Sequence, residues 1–252
     1  MNDLIISAIQ FDIAWEDKEA NFRKLESLLK NIPSDSGVIL LPEMFTTGFS
    51  MNSRVLAETM SGSTVEWMKK ISISLDKVIA GSLIIYENNK YRNRFLWVQP
   101  DGKMEFYDKK HSFSPGGENE NYTNGTKRAV FDFKGWKIFP SICYDLRFPY
   151  WLKNDLNYDI LINVANWPKI RAVHWKTFLR SRAIENQAFA IGINRIGIDG
   201  RNIEYSGDSA AYDFDGNILT QLGNTEGIIT TSFNKNNLME YRNKFPFLKD
   251  MS

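Results

Sequence analysis

Strand-length apolar runs alternate with amphipathic helices at both ends of this chain, adjacent strand pairs lie between them, and no linker divides the pattern. LIISAIQF (4–11) is a dense apolar run, and residues 17–30 carry Phe22, Leu25, Leu28 and Leu29 at helical spacing before Pro33 closes the helix. GVILLPE (37–43) reads as a second buried strand and 64–75 as a second helix. KVIAGSLIIY (77–86) and YRNRFLWVQ (91–99) form a hairpin across 87–90, followed by an Asp101-Gly102 turn. Residues 108–125 are polar and glycine-bearing, a long loop. Beyond it the pattern predicts strands near 127–133 and 136–142, a helix near 147–156, a strand at 158–164, a helix at 172–186, and strands at 189–195 and 209–214. One sheet with helices on both faces leaves the hairpins awkward; two packed sheets with helices outside them accommodate every element. The expectation is an α/β fold in one domain spanning 1–252, with any site beyond the carboxyl ends of strands.

Charge narrows the partners. Thirty-one Lys and Arg against 30 Asp and Glu leave a formal charge of +1, so no long-range field gathers nucleic acid or anionic lipid. The N-terminal run MNDLIISAIQFDIAWED has no basic n-region and is broken by Gln10 and Asp12, unlike a signal peptide. No run reaches the ~18 apolar residues of a membrane span. A single cysteine, Cys143, cannot form an internal disulfide, and with only His111 and His174 it makes a poor zinc set, so no metal or cofactor is expected. Cytoplasmic residence is the matching expectation, because secreted domains use cysteines in pairs.

Three residues could carry chemistry. Cys143 directly follows an apolar strand in FPSICYDLRFP, where a turn can present sulfur above the sheet beside backbone N–H groups of the following residues. A helix start there favours thiolate; a small buried hydrophobe is the alternative. Glu43 ends GVILLPE, and a carboxylate straight after a buried strand must reach solvent, pair with a cation or serve a site. Lys109 lies in YDKKHSF beside Lys110, and residue chemistry alone does not choose between them.

Together these segments resemble the nitrilase superfamily of carbon–nitrogen hydrolases, from Ile5 to about residue 233. LLPEMF (40–45), YDKKHSF (107–113), CYDLRFP (143–149) and RAIENQAF (182–189) carry the likeness. It implies a four-layer α-β-β-α sandwich and a Glu43–Lys109–Cys143 triad, the Tyr-x-Lys-x-His pattern selecting Lys109. A further glutamate of the family precedes a glycine by seven residues; Glu118, seven before Gly125, fits better than Glu120 or Glu105. Within the superfamily the chain is most similar to omega-amidases, which hydrolyse the side-chain amide of 2-oxoglutaramate and 2-oxosuccinamate. SPGGENENYTNG (114–125), VANWP (164–168), HWKTFLRSRAIENQ (174–187), NRIGIDG (194–200), YSGDS (205–209) and YRNKFPFLKD (241–250) support this. Nitrilases, N-carbamoyl amidases and amidases for deaminated peptides share the triad and are the rival readings. One departure is SFSPGGE (112–118), where the family places a leucine after the histidine.

The resemblance implies a thioester on Cys143, Glu43 as base, and an oxyanion held by Lys109 and the Tyr144 backbone N–H, with Glu118 orienting Lys109 or the substrate. Asp145 and Arg147 flank the nucleophile, either as an ion pair securing the turn or with Arg147 clamping a substrate carboxylate. Lys169 and Arg171 are further basic candidates; Phe45 and Trp167 are expected as apolar walls. The 234–252 tail, with Tyr241, Phe245 and Phe247, is expected to pack on a partner subunit in a homodimer. A Cys–His hydrolase using His111 or His174 and a catalytically silent scaffold are the competing classes.

Overall fold

The computed structural model describes residues 3–250. Its first sheet is six-stranded. β1 (Leu4–Gln10), β2 (Val38–Leu40) and β3 (Val78–Glu87) run parallel, while β4 (Lys90–Val98) and β5 (Met104–Asp108) are added antiparallel in turn. The second sheet begins with β6 (Phe131–Phe133), then β7 (Trp136–Ile142), β8 (Ile160–Ala165) and β9 (Phe189–Asn194), the last three parallel. A ribbon of β10 (Ile196–Ile198) and β11 (Glu204–Ser206) follows. β12 (Ala210–Tyr212) and β13 (Ile218–Gln221) complete the second sheet, and β14 (Gly227–Phe233) returns to pair antiparallel with β1.

Period-two side-chain alternation builds the layers. Val38, Leu40, Val78, Ala80, Phe95 and Trp97 face the second sheet in one core with Phe131, Trp136, Ile138 and Ile160. The intervening Ile39, Ile79, Leu96 and Val98 form a second core on the outer face. Helices α1 (Lys18–Leu29) and α3 (Ser63–Leu75) cover that face with Leu25, Leu29, Val65 and Met68. α6 (Ala172–Glu185) covers the second sheet with Trp175, Leu179 and Ala183. This is the expected α-β-β-α sandwich. Shorter helices are α2 (Ser53–Leu56), α4 (Glu118–Asn121) and α5 (Pro149–Leu152); α7 (Lys235–Lys244) follows β14, and a 3-10 turn (Phe247–Asp250) comes after it.

Two local expectations are corrected. No helix spans 147–156: a 3-10 turn, Cys143–Arg147, is followed by the single turn of α5. Pro149 forces this break, since the residue before proline avoids the helical region, and Phe148 is extended at φ −111, ψ 91. The 108–125 loop holds a 3-10 turn (Ser114–Gly116) and α4. The tail is partly covered by its own chain. Tyr241 lies against Phe214 at 4.6 Å, and Arg242 donates to the carbonyls of Gln187 (2.7 Å) and Tyr158 (2.6 Å). Phe247 stays 57% exposed, and Met251 and Ser252 of the expected tail lie outside the described residues. No helix among the described residues is long and apolar enough to cross a membrane.

Candidate active site

Three strands end at one place. Lys109 follows β5, Cys143 follows β7 and Asn166 follows β8, while Glu43 stands three residues beyond β2. All are carboxyl ends, where parallel strands of a packed sheet leave a crevice. Glu43 and Lys109 are almost wholly buried, and the Lys109 ammonium lies 2.8 Å from Glu43 Oε1. Glu118 is equally buried and takes the same ammonium at 2.9 Å on both oxygens. Of its neighbours, Glu120 is exposed and Glu105 pairs with Lys103 at 3.0 Å, so Glu118 is the glutamate that reaches Lys109.

Backbone and amide donors fill the other carboxylate positions. Asn93 Nδ2 donates to Glu43 Oε1 (2.8 Å) and to Glu118 Oε1 (3.2 Å). The Asn166 N–H donates to Glu43 Oε2 at 2.8 Å, and the Phe113 N–H to Glu118 Oε2 at 2.6 Å. A buried carboxylate is tolerable only when paired and hydrogen-bonded in this way. Lys109 itself is fixed through its backbone: its N–H donates to the Asn93 carbonyl (2.9 Å) and its carbonyl accepts from Gly125 (2.7 Å). Glycine is required there, because a Cβ at 125 would sit 2.0 Å from the Asp108 carbonyl oxygen.

Cys143 has φ +46, a left-handed conformation that costs a non-glycine residue energy and recurs at functional turns. Its Sγ lies 3.8 Å from the Asn166 carbonyl. The first amides of a helical turn have no partner within it, and Tyr144 occupies that place in the 3-10 turn. Burial pushes the Cys143 thiol well above its usual range, and the Glu43 charge adds to this; Lys109 opposes and Glu118 reinforces it. Desolvation and two carboxylates favour the protonated thiol and outweigh one short 3-10 turn, so the sulfur needs a base to attack. Burial also pulls the Lys109 ammonium down, but Glu118 and then Glu43 outweigh it and hold the pKa above the ordinary lysine range. Glu118 is raised by burial, against the pull of Lys109.

Above the sulfur opens a cleft of about 320 Å³ lined by Cys143, Tyr144, Asn166 and Trp167, with Phe49, Phe113 and Tyr205 as further aromatic walls. Arg147, Arg171 and Arg201 line it too, and among the described residues none of the three forms a salt bridge. Arg147 and Asp145 do not pair, correcting that expectation: Arg147 donates to His174 Nδ1 (3.1 Å), while Asp145 is buried among donors from other segments. Phe45 is not a wall. Met44, left-handed at φ +45, turns Phe45 into the core against Trp67 at 6.1 Å, and Phe49 takes the place over the Lys109 ammonium at 5.2 Å. Lys169 does not line the cleft; its ammonium is 2.6 Å from Glu204. Neither His111 nor His174 lines it. Among the described residues no group of three or more His, Cys, Asp or Glu could hold a metal ion.

Asn93 and Asn166 escaped the sequence reading. Asn93 had a legible signal, a polar residue in register with Phe95 and Trp97 on the face that meets the other sheet.

The Carbon-nitrogen hydrolase family model matches residues 5–243. The chain belongs to that family. As a carbon–nitrogen hydrolase it is 41% identical to the omega-amidase YafV of Yersinia enterocolitica, over 99% of this chain and 97% of that one. It is 32% identical to the 2-oxoglutaramate amidase of Bacillus subtilis, over 98% and 96%. The crystal structure of XC1258 from Xanthomonas campestris is a CN-hydrolase superfamily protein with an arsenic adduct in the active site. It matches at TM-score 0.96 and 40% identity, covering 99% of this chain and 97% of that one.

Proposed function

We propose that this carbon–nitrogen hydrolase is an omega-amidase, releasing ammonia from 2-oxo-dicarboxylate monoamides such as 2-oxoglutaramate and 2-oxosuccinamate. One arrangement carries the reading: a buried Glu43–Lys109–Glu118 cluster beside Cys143, which lines a small cleft whose three guanidiniums have no acidic partner among the described residues. A short substrate with an amide at one end and a carboxylate at the other suits that cleft.

The amide carbonyl carbon is attacked by Cys143 Sγ as Glu43 takes the thiol proton, a coupled step because the resting thiol is neutral. Lys109 has three N–H donors; with one on Glu43 and one shared between the two Glu118 oxygens, the third serves the oxyanion, with the Tyr144 N–H as second donor. Each such donor contributes about 2.7–4 kcal/mol to the barrier. Glu43 then passes its proton to the nitrogen, the C–N bond breaks and ammonia leaves a Cys143 thioester. Glu43 next deprotonates a water that attacks the thioester, and the proton returns to sulfur as the acid departs. Glu118 orients Lys109. Arg147, whose planar fork matches a carboxylate, grips the far end of the substrate, and Trp167 walls it.

Ammonia release across amides, nitriles and carbamoyl compounds tests the reading. 2-Oxoglutaramate should rank among the best substrates, and Arg147→Met should raise its KM about 10–100-fold while changing a neutral amide little. A panel led by nitriles or carbamoyl compounds would assign the chain to another branch. The single domain, a homodimer and cytoplasmic residence belong to the same reading, supported by the core shared between the sheets, the exposed Phe247 and the single free cysteine. Light scattering at twice the 29.1 kDa chain mass is the expected result for the dimer.

A further inference from the structure

We propose that Asp145 is a positioning residue that sets the Lys109 ammonium against the Cys143 sulfur by holding both chain segments on one buried carboxylate. Asp145 is wholly buried, stands two residues after Cys143, and accepts four hydrogen bonds. Three come from the segment carrying Lys109. Tyr107 Oη donates to Oδ2 at 2.8 Å; the His111 N–H and Nδ1 donate to Oδ1 at 2.9 and 2.8 Å. The fourth comes from Ile142, whose N–H reaches Oδ2 at 3.1 Å just before the nucleophile. A carboxylate offers about four lone-pair sites, so this one is filled.

The donors have few alternatives. Trp151 Nε1 (2.9 Å) and the Lys110 N–H (3.2 Å) both donate to Tyr107 Oη, which leaves its own proton for Asp145. Burial and the Asp145 charge keep that phenol protonated. Because the carboxylate only accepts, the His111 Nδ1 carries a proton toward it, and Nε2 lies 2.9 Å from Tyr150 Oη. The ring is further clamped on Phe148, 3.8 Å away. Lys109 is thus held from two sides, through its backbone by Asn93 and Gly125 and through its neighbours by Asp145. The Tyr-x-Lys-x-His and Cys-x-Asp spacings are the sequence trace of this staple. Tyr107, His111 and Asp145 direct these hydrogen bonds to one another and to the backbone beside Cys143, so they act through Lys109 and Cys143 and not on substrate.

The inference rests on the reading of Cys143 and Lys109 as reacting groups, and its test separates the two. Ammonia release is measured for Tyr107→Phe and Asp145→Asn, normalised to sites titrated by Cys143 alkylation with iodoacetamide. A misplacement of about 1 Å costs on the order of 10²-fold. Turnover per titrated site should therefore fall about 10²-fold in Asp145→Asn and about 10-fold in Tyr107→Phe, with KM little changed. Tyr107→Phe should also raise the pH midpoint of alkylation, because Lys109, which draws the thiol down, has moved; in a Lys109→Met background it should shift nothing further. Should Asp145→Asn not fold, Tyr107→Phe carries the test alone. Wild-type turnover per titrated site with only a lower Tm would overturn the inference, as would an equal alkylation shift in both backgrounds. Ammonia release surviving in Cys143→Ala would instead sink the reading of the site.

Discussion

Cys143→Ala is expected to lose turnover by on the order of 10⁶-fold, and Cys143→Gly to be equally inactive yet more stable than the alanine variant by about 1 kcal/mol. Among the described residues that line the cleft, Cys143 carries the one thiol, and in the proposed mechanism its removal leaves binding and the oxyanion donors alone. The stability difference has a separate cause. At φ +46 an L-residue brings its Cβ toward the neighbouring carbonyl, a clash that glycine lacks. The strain persists because Ile142 and Asp145 fix the turn from both sides of the residue. Urea denaturation of the two variants measures it. Equal stabilities would mean that the turn holds no strain to release, and that the placing of the sulfur beneath the cleft comes without energetic cost.

What could be read from the sequence follows what physical pattern each element leaves. β1, β3, β4 and β7–β9 are apolar because helices and the second sheet bury them, so their runs announce them. β13 is mostly exposed and β5 has little buried surface; pairing with a neighbour makes these strands, and no apolar run marks them. Glu43, Lys109, Glu118 and Cys143 were named from resemblance and strand ends, and they do meet in one place. The errors cluster where backbone direction matters. Left-handed Met44 exchanges Phe45 for Phe49 beside the site, and extended Phe148 before Pro149 turns a projected helix into two short turns. The thiol is less legible for a different reason: its ionisation depends on burial and on two carboxylates from distant segments, which local sequence does not display.

Lys109→Met should be the most destabilising of the site substitutions, at about 3–5 kcal/mol, because it strips the cation from two buried carboxylates. Glu43 and Glu118 both contact the ammonium, and beyond it they have only neutral N–H donors. Methionine fills the space of the lysine stem, so packing loss contributes little and the uncompensated charge dominates. The linkage sign is specific. Without the cation the folded state holds protons on these carboxylates more tightly than the unfolded chain does, so the variant's stability should rise as pH falls. It should be weakest at neutral pH, where both carboxylates must ionise inside the protein. Adding Glu118→Gln removes one buried charge and should return a large part of the lost stability, while ammonia release remains absent because no cation faces the oxyanion. Urea titrations of wild type, Lys109→Met and the double variant between pH 5 and 8 read this out. A Lys109→Met protein whose stability is independent of pH would show that water or a shifted proton already neutralises the carboxylates, and that the ammonium serves the reaction and not the fold.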